Sequence, residues 1–116
     1  MQTRSEVLNE TVAAVPERLV IERVELRTVR LPLNEPFETS FGRIDSRLIV
    51  LVAVTSGGET GWGEVVAAEQ PLYSYETVGT ALHVIRDYLA PAILGEPLRD
   101  ISDLAQRLAP FRGHNM

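Results

Sequence analysis

Apolar and polar residues alternate along the first part of the chain with the two-residue period of β-strands. Residues 20–33 predict a first strand, and because its apolar phase changes near Arg27, we expect a bulge or bend there. Residues 47–55 predict a second strand that is apolar on both faces. Residues 56–59 contain a Gly-Gly turn, so residues 60–67 are predicted to return as a third strand beside the second.

The apolar period changes to that of an α-helix beyond Ser74, which is the expected N-cap. Glu76 lies where a carboxylate favours the positive end of the helix dipole, and Gly95 is the expected end of the helix. The apolar stripe consists of Val78, Leu82, Ile85 and Leu89. Because these positions fall on one side of a helix, the segment is predicted to be amphipathic.

A second, shorter helix is predicted near the end of the chain. Either Asp100 or Ser102 can cap its start, and Pro110 lies where it should end. Its apolar positions are Ile101, Leu104 and Leu108. Together the elements predict an α+β domain, in which a three-stranded antiparallel meander is followed by helices.

Residues 34–46 lack the residues of a tight hairpin turn, and they predict a long loop of the kind that often carries function. This loop contains Phe37 and Phe41, two large rings that no predicted strand or helix buries. A later loop contains Tyr73. We interpret the rings of the two loops as converging on a substrate outside the fold. The alternative is that the phenylalanines anchor their own loop and that Tyr73 belongs to a hydrophobic staple before the helix.

The composition is that of a soluble globular protein: 116 residues, 45% hydrophobic and 23% charged, are expected to form one domain. The sequence has no apolar run near the ~20 residues of a membrane span, no cysteine and no secretion signal, so we expect a cytoplasmic protein without a membrane partner. The net charge of -5, without a basic patch, argues against a nucleic-acid partner. All 11 Lys and Arg positions are arginine, so no lysine of this sequence can act as a base or form a Schiff base.

The second strand needs cover on both faces, whereas one helical layer covers only one. Gly61 and Gly63 leave one side of the third strand nearly bare. These glycines indicate either a bulge in the sheet or, as we prefer, close approach by another domain. Trp62 between them is expected in the core, and Glu64 is expected to pair with an arginine such as Arg47.

The remaining titratable residues indicate no catalytic or metal site in the chain. His83 is expected to face solvent from the flank of the first helix. His114 has no second ligand at metal-binding spacing, and we assign it to a domain junction. Glu69 and Glu76 flank the loop of Tyr73 without the spacing of an acid/base pair.

Several segments, taken in order, carry a family resemblance: residues 21–33, 36–42, 61–64 (Gly-Trp-Gly-Glu), 71–74 (Pro-Leu-Tyr-Ser) and 111–116 (Phe-Arg-Gly-His-Asn-Met). With them, residues 20–116 resemble the N-terminal capping domain of the enolase superfamily, mandelate racemase and muconate-lactonizing type. Within it they look most like o-succinylbenzoate synthases that double as N-succinylamino acid (N-acylamino acid) racemases. On this basis we interpret residues 1–19 as an N-terminal extension and residues 20–116 as the capping domain, with the C-terminal TIM barrel absent.

The resemblance implies a capping domain that sits over the mouth of a TIM barrel. In such enzymes the barrel supplies two lysines as acid and base, and three carboxylates that hold Mg²⁺. The metal stabilises the enediolate formed when a proton is taken from the carbon next to a carboxylate. We therefore expect Mg²⁺ in the complete enzyme and no cofactor in this chain.

The resemblance also implies substrate contacts in two loops, from Phe37, Thr39, Ser40 and Phe41 in the first and from Tyr73 in the second, and a further contact at Ala68. Ala68 stands where relatives often have a larger residue such as Met, so the preferred acyl group stays open.

The first hypothesis is a domain that recognises a small carboxylate substrate and closes the active site of such an enzyme, and that is inactive without its barrel. A second hypothesis is a non-enzymatic binding module that pairs its bare sheet face with itself. Under both we expect a homo-oligomer, because an apolar face without its neighbour is an association site. A third hypothesis keeps the superfamily but assigns dipeptide epimerase or muconate cycloisomerase activity, which only barrel residues would decide.

Overall fold

The computed structural model describes residues 18–40 and 42–114. Its strands are β1 Leu19–Val20, β2 Arg23–Thr39, β3 Gly42–Ser56, β4 Glu59–Val65 and β5 Pro97–Leu98. Its helices are α1 Val78–Val84, a π-helical turn Ile85–Leu89, α2 Ala90–Ile93 and α3 Ile101–Leu108. The strands β2, β3 and β4 form an antiparallel sheet in that order, and β1 pairs with β5. This is the predicted α+β architecture of a three-stranded meander followed by helices.

The β2–β3 ladder is regular where a bulge was expected. Pairing runs without a shift from Arg23 opposite Thr55 to Pro32 opposite Ser46, so the predicted bulge near Arg27 is wrong. Because β3 is apolar on both faces, the apolar residues of β2 can lie beside one face of β3 at first and beside the other face further along. The apolar positions of β2 therefore change face without a bulge. The register shifts instead beyond Pro32, which has no backbone N–H to offer the ladder.

The predicted loop over residues 34–46 is also wrong, because β2 and β3 extend through it as a hairpin. We call residues 33–45 the hairpin arm. Pairing resumes between Phe37 and Ile44 and continues to Thr39 opposite Gly42. The described side chains of the arm are largely exposed, so neither face of the arm shows the apolar alternation by which a strand is recognised.

The β3–β4 hairpin has the turn that its glycines predict. Gly57 and Gly58 have φ values of 57° and 82°, which L-residues with side chains rarely adopt and which two-residue hairpin turns require. From this turn the ladder runs without a shift to Val50 opposite Val65. Gly61 and Gly63 are therefore not part of a bulge.

The predicted N-cap Ser74 is wrong, because the helix that follows has its N-cap three residues later. Its N-cap is Thr77, whose hydroxyl accepts from the backbone N–H of Thr80, while the Thr80 hydroxyl accepts from the N–H of Thr77. Ser74 instead accepts from the N–H of Glu76. The helix ends before Gly95, which has a φ of 75°, as predicted. Asp100 caps α3, one of the two residues expected there.

The π-helical turn lies just before Pro91. The N–H of Ala90 donates to the carbonyl of Ile85, five residues back. Pro91 lacks the N–H that would continue an α-helical pattern, and such interruptions are a recognised cause of π-turns and kinks.

The core lies between the sheet and α1, on what we call the helix face of the sheet. Its buried residues are Val50, Val65, Ala67 and Val78. Trp62 pairs with Ala53 on the opposite, outer face, and its side chain is 60% exposed. The prediction of a core Trp62 is therefore wrong, because the strand register turns its ring away from the helices. In residues 18–40 and 42–114, no helix has the length and apolarity to cross a bilayer.

Candidate functional site

The hairpin arm and the later loop lie at the same end of the sheet. We call residues 69–76 the second loop. Strand β4 ends at Val65, opposite Val50, and Val50 in turn lies opposite Thr28 of β2. The chain then continues in the direction in which β2 runs toward the hairpin arm, and Glu69 reaches Arg30 of β2. The two segments that carry the predicted substrate-binding residues therefore share one edge of the domain.

The hairpin arm presents exposed side chains at its described positions. Phe37 is 59% exposed and lies opposite Ile44, which is 44% exposed. The hydroxyl of Thr39 donates to the carbonyl of Gly42 at 3.5 Å, and Ser40 is exposed in the turn. Phe41 lies outside the described residues, so its predicted role stays a prediction.

The second loop is closed at its base by backbone pairing. Ala68 forms a parallel bridge with Thr77, and the N–H of Val78 donates to the carbonyl of Ala68 at 2.8 Å. Ala68 thus lies where the loop meets the helix start. The tip of the loop points outward, with Leu72 60% exposed and Tyr73 89% exposed.

An arginine of β2 holds the start of the second loop. The two terminal nitrogens of Arg30 donate to the two carboxylate oxygens of Glu69, at 2.7 and 3.3 Å. One of these nitrogens also donates to the hydroxyl of Ser46 on β3 at 3.0 Å. The hydrogen bonds from Arg30 favour the ionised form of the Glu69 carboxyl and so lower its pKa.

The far side of the second loop is held by the end of the described chain. The phenol of Tyr75 donates to the carbonyl of Gly113. The carboxylate of Glu76, whose side chain is only 10% exposed, lies 3.9 Å from Nδ1 of His114. His83 does not take part in these contacts. Its side chain is 55% exposed, as predicted, and its Nδ1 lies 2.8 Å from the Asp87 carboxylate.

The structure brings these predicted residues to one end without joining their rings. Among the described aromatic side chains, the ring contacts are His83 with Tyr88 and Tyr88 with Phe111. Phe37 and Tyr73 are both exposed, and their rings do not contact each other. The expected ion pair of Glu64 with Arg47 is not among those formed by residues 18–40 and 42–114.

Sequence reasoning missed the partners that position the second loop. Arg30 and Glu69 are 39 residues apart, and no periodicity or motif connects them. Tyr75 and Gly113 are 38 residues apart, and the same holds for them. Such contacts depend on how the strands are ordered, which becomes visible only in the folded chain.

The described residues at this end form no candidate metal site. Within the described residues, no group of three or more histidine, aspartate and glutamate side chains could hold a metal ion. These residues therefore do not fit a Mg²⁺ site. Glu69 is engaged with Arg30, and the hairpin arm also carries exposed charged side chains, those of Glu38, Arg43 and Asp45.

Comparison with known families and structures gives a consistent picture. Residues 21–115 match the sequence profile of the family described as mandelate racemase / muconate lactonizing enzyme, N-terminal domain. The chain is 49% identical over 94 residues to an N-succinylamino acid racemase of Amycolatopsis sp, and 42% identical over 97 residues to an o-succinylbenzoate synthase of Geobacillus stearothermophilus. These alignments cover 80% and 83% of this chain but only 25% and 26% of the relatives.

A solved structure shows the same relationship. The chain superposes with a TM-score of 0.73 and 36% identity on a member of the enolase superfamily from Enterococcus faecalis V583. The match covers 84% of this chain and 27% of that one. The chain thus spans about a quarter of the length of the curated relatives it matches.

Proposed function

We propose a role for this chain from the family to which it belongs, the N-terminal domain of the mandelate racemase / muconate lactonizing enzymes of the enolase superfamily. It recognises the substrate and closes the active site of an enzyme like o-succinylbenzoate synthase or N-succinylamino acid racemase. In this proposal residues 20–116 are the capping domain and residues 1–19 precede it as an extension. The groups that carry out the reaction lie in a TIM barrel outside these 116 residues.

The observation that supports this role is the exposure of Phe37 and Tyr73, 59% and 89%, at the same end of the sheet. Exposed aromatic rings on two segments at the same end of a domain can together bind the apolar part of a ligand. The proposed substrate-binding residues are Phe37, Thr39, Ser40, Phe41, Ala68 and Tyr73. In this role the rings cover the apolar part of a small carboxylate substrate and exclude water from it.

The reaction in this proposal is removal of a proton from the carbon next to a carboxylate. The chain has no lysine, and its described residues do not fit a Mg²⁺ site. We therefore assign the acid, the base and the Mg²⁺ to the barrel. The chain's own contribution is to bind and orient the substrate and to keep solvent away.

Reconstitution tests the proposal. The purified chain is titrated with a separately expressed barrel of an o-succinylbenzoate synthase, and dehydration and N-succinylamino acid racemisation are assayed with Mg²⁺ present. We expect neither part to be active alone and activity to return on mixing. Turnover by the pure chain, or no association with any such barrel, would count against the assignment.

A self-associating binding module is the second candidate, and the exposed Trp62 on the outer face favours it. The bare side at Gly61 and Gly63 is the helix face, not a free surface as expected, so in this alternative two copies pack their outer faces together instead. Sedimentation of the chain with and without barrel separates the two. A dimer that persists in the presence of barrel, with no activity, favours the module, whereas exchange of the dimer for an active complex favours the capping domain.

A further inference from the structure

We propose that Arg30, Glu69 and Ser46 form a clasp that fixes the second loop relative to the hairpin arm, and that Arg30 is thereby a positioning residue for substrate recognition. This inference rests on the proposed function for its consequence, but the clasp itself is a property of the chain alone.

The clasp contains a bidentate contact between the Arg30 guanidinium and the Glu69 carboxylate. Both terminal nitrogens of Arg30 donate to Glu69, at 2.7 and 3.3 Å, and one of them also donates to Ser46 at 3.0 Å. Bidentate guanidinium–carboxylate pairs fix orientation as well as distance. One side chain therefore connects β2, β3 and the first residue of the second loop.

The clasp lies where both the hairpin arm and the second loop begin. Ser46 lies opposite Pro32, the last pair of the regular β2–β3 ladder before the hairpin arm. Glu69 follows Ala68, which the backbone pairing with Thr77 already holds. The clasp thus joins the base of the arm that carries Phe37 to the base of the loop that carries Tyr73.

The clasp acts on position more than on stability. The side chains of Arg30 and Glu69 are 51% and 48% exposed, and ion pairs at such exposure contribute little to the free energy of folding. An exposed pair can still limit the orientations of a short loop whose two ends are already tied. Loss of the clasp should loosen the loop while the core of the domain stays intact.

The variants that test this are Arg30→Gln and Glu69→Gln. The matched control is Arg99→Gln, which breaks a bidentate pair with Asp103 on α3, far along the chain from either loop. Backbone ¹⁵N relaxation is measured at Leu72 and Tyr73. We expect order parameters near the ~0.85 of rigid backbone in the wild type and the control, and below ~0.6 in both clasp variants.

The charge-swapped double variant, Arg30→Glu with Glu69→Arg, should restore the order of the loop. Unchanged order in both single variants would show that there is no clasp. In the complex with barrel, KM should rise about threefold to tenfold in the clasp variants while kcat stays constant, because uniform binding is lost. A looser loop with an unchanged KM would overturn the positioning role, whereas a looser loop in a chain that no barrel activates would overturn the proposed function instead.

Discussion

The guanidinium carbon of Arg27 lies 5.7 Å from the centroid of the Trp62 ring, so the two side chains form a cation–π contact across the outer face of the sheet. Arg27 also donates to Glu25, which pairs in turn with Arg23. The outer face is thus flanked by a strip of alternating charges along β2, while the helix face holds the apolar core. The two faces should respond differently to truncation.

Replacing Trp62 by Ala should destabilise the chain less than replacing Val50 by Ala. Trp62→Ala removes a half-exposed ring and its cation–π contact, at a cost of about 1 kcal/mol. Val50→Ala opens a cavity at a fully buried position and should cost about 2–3 kcal/mol. Urea unfolding of both variants measures the difference. The reverse order would mean that Trp62 belongs to the core after all.

Thr77→Ala should lower the free energy of unfolding by about 1 kcal/mol, because it removes the N-cap of α1. Ser74→Ala should change it by less than about 0.5 kcal/mol, since the Ser74 hydroxyl accepts only from the N–H of Glu76 at 3.3 Å. Thermal unfolding followed by circular dichroism makes the comparison. Equal losses of stability in the two variants would contradict the assignment of Thr77 as the N-cap.

The carboxyl of Asp103 should titrate with a pKa of about 2, because the side chain and the backbone N–H of Arg99 donate to its ionised form. A lowered pKa in the folded state stabilises the fold above the unfolded pKa, about 3.9, and this contribution is lost as the pH falls toward 2. NMR titration of the carboxyl measures the value. In Arg99→Gln the midpoint should move up toward 3.8, whereas Arg43→Gln should leave it unchanged.

Phe37→Ala and Tyr73→Ala should leave the stability of the chain within about 0.5 kcal/mol, because both rings are mostly exposed. In the complex with barrel each should lower kcat/KM about tenfold, the loss expected when roughly 1.4 kcal/mol of apolar contact with substrate disappears. Tyr88→Ala is the control, because this ring is 50% exposed but packs near His83 on the helix. Equal losses in all three variants would argue against a specific site.

The sequence predicted those parts of the fold that depend on local period and turn chemistry. The three strands, the Gly57–Gly58 turn, the stripe of the first helix and the Asp100 cap follow from such signals. The hairpin arm was missed because it is exposed on both faces, so backbone pairing holds it without any apolar alternation. The two-residue strands β1 and β5 are too short to show a period at all.

The face on which Trp62 lies shows the limit of pattern reasoning. Apolar residues occur on both sides of β3, and the alternation alone does not say which side meets the helices. The pairing of Val50 with Val65 decides it, since Trp62 then falls on the other side. The substrate-binding residues remain predictions of the family resemblance, whereas the clasp that we propose between them came only from the fold.

The π-helical turn before Pro91 has a consequence for how this helix tolerates change. A π-turn holds one residue more than the α-helical turn that it replaces, so deleting one residue from Ile85–Leu89 should restore the usual hydrogen bonds and leave the later side chains on the side of the axis where they now lie. Ile93 would then still line the apolar hollow over Gly63. The π-turn thus lets the helix hold an additional residue without turning its later side chains away from the sheet.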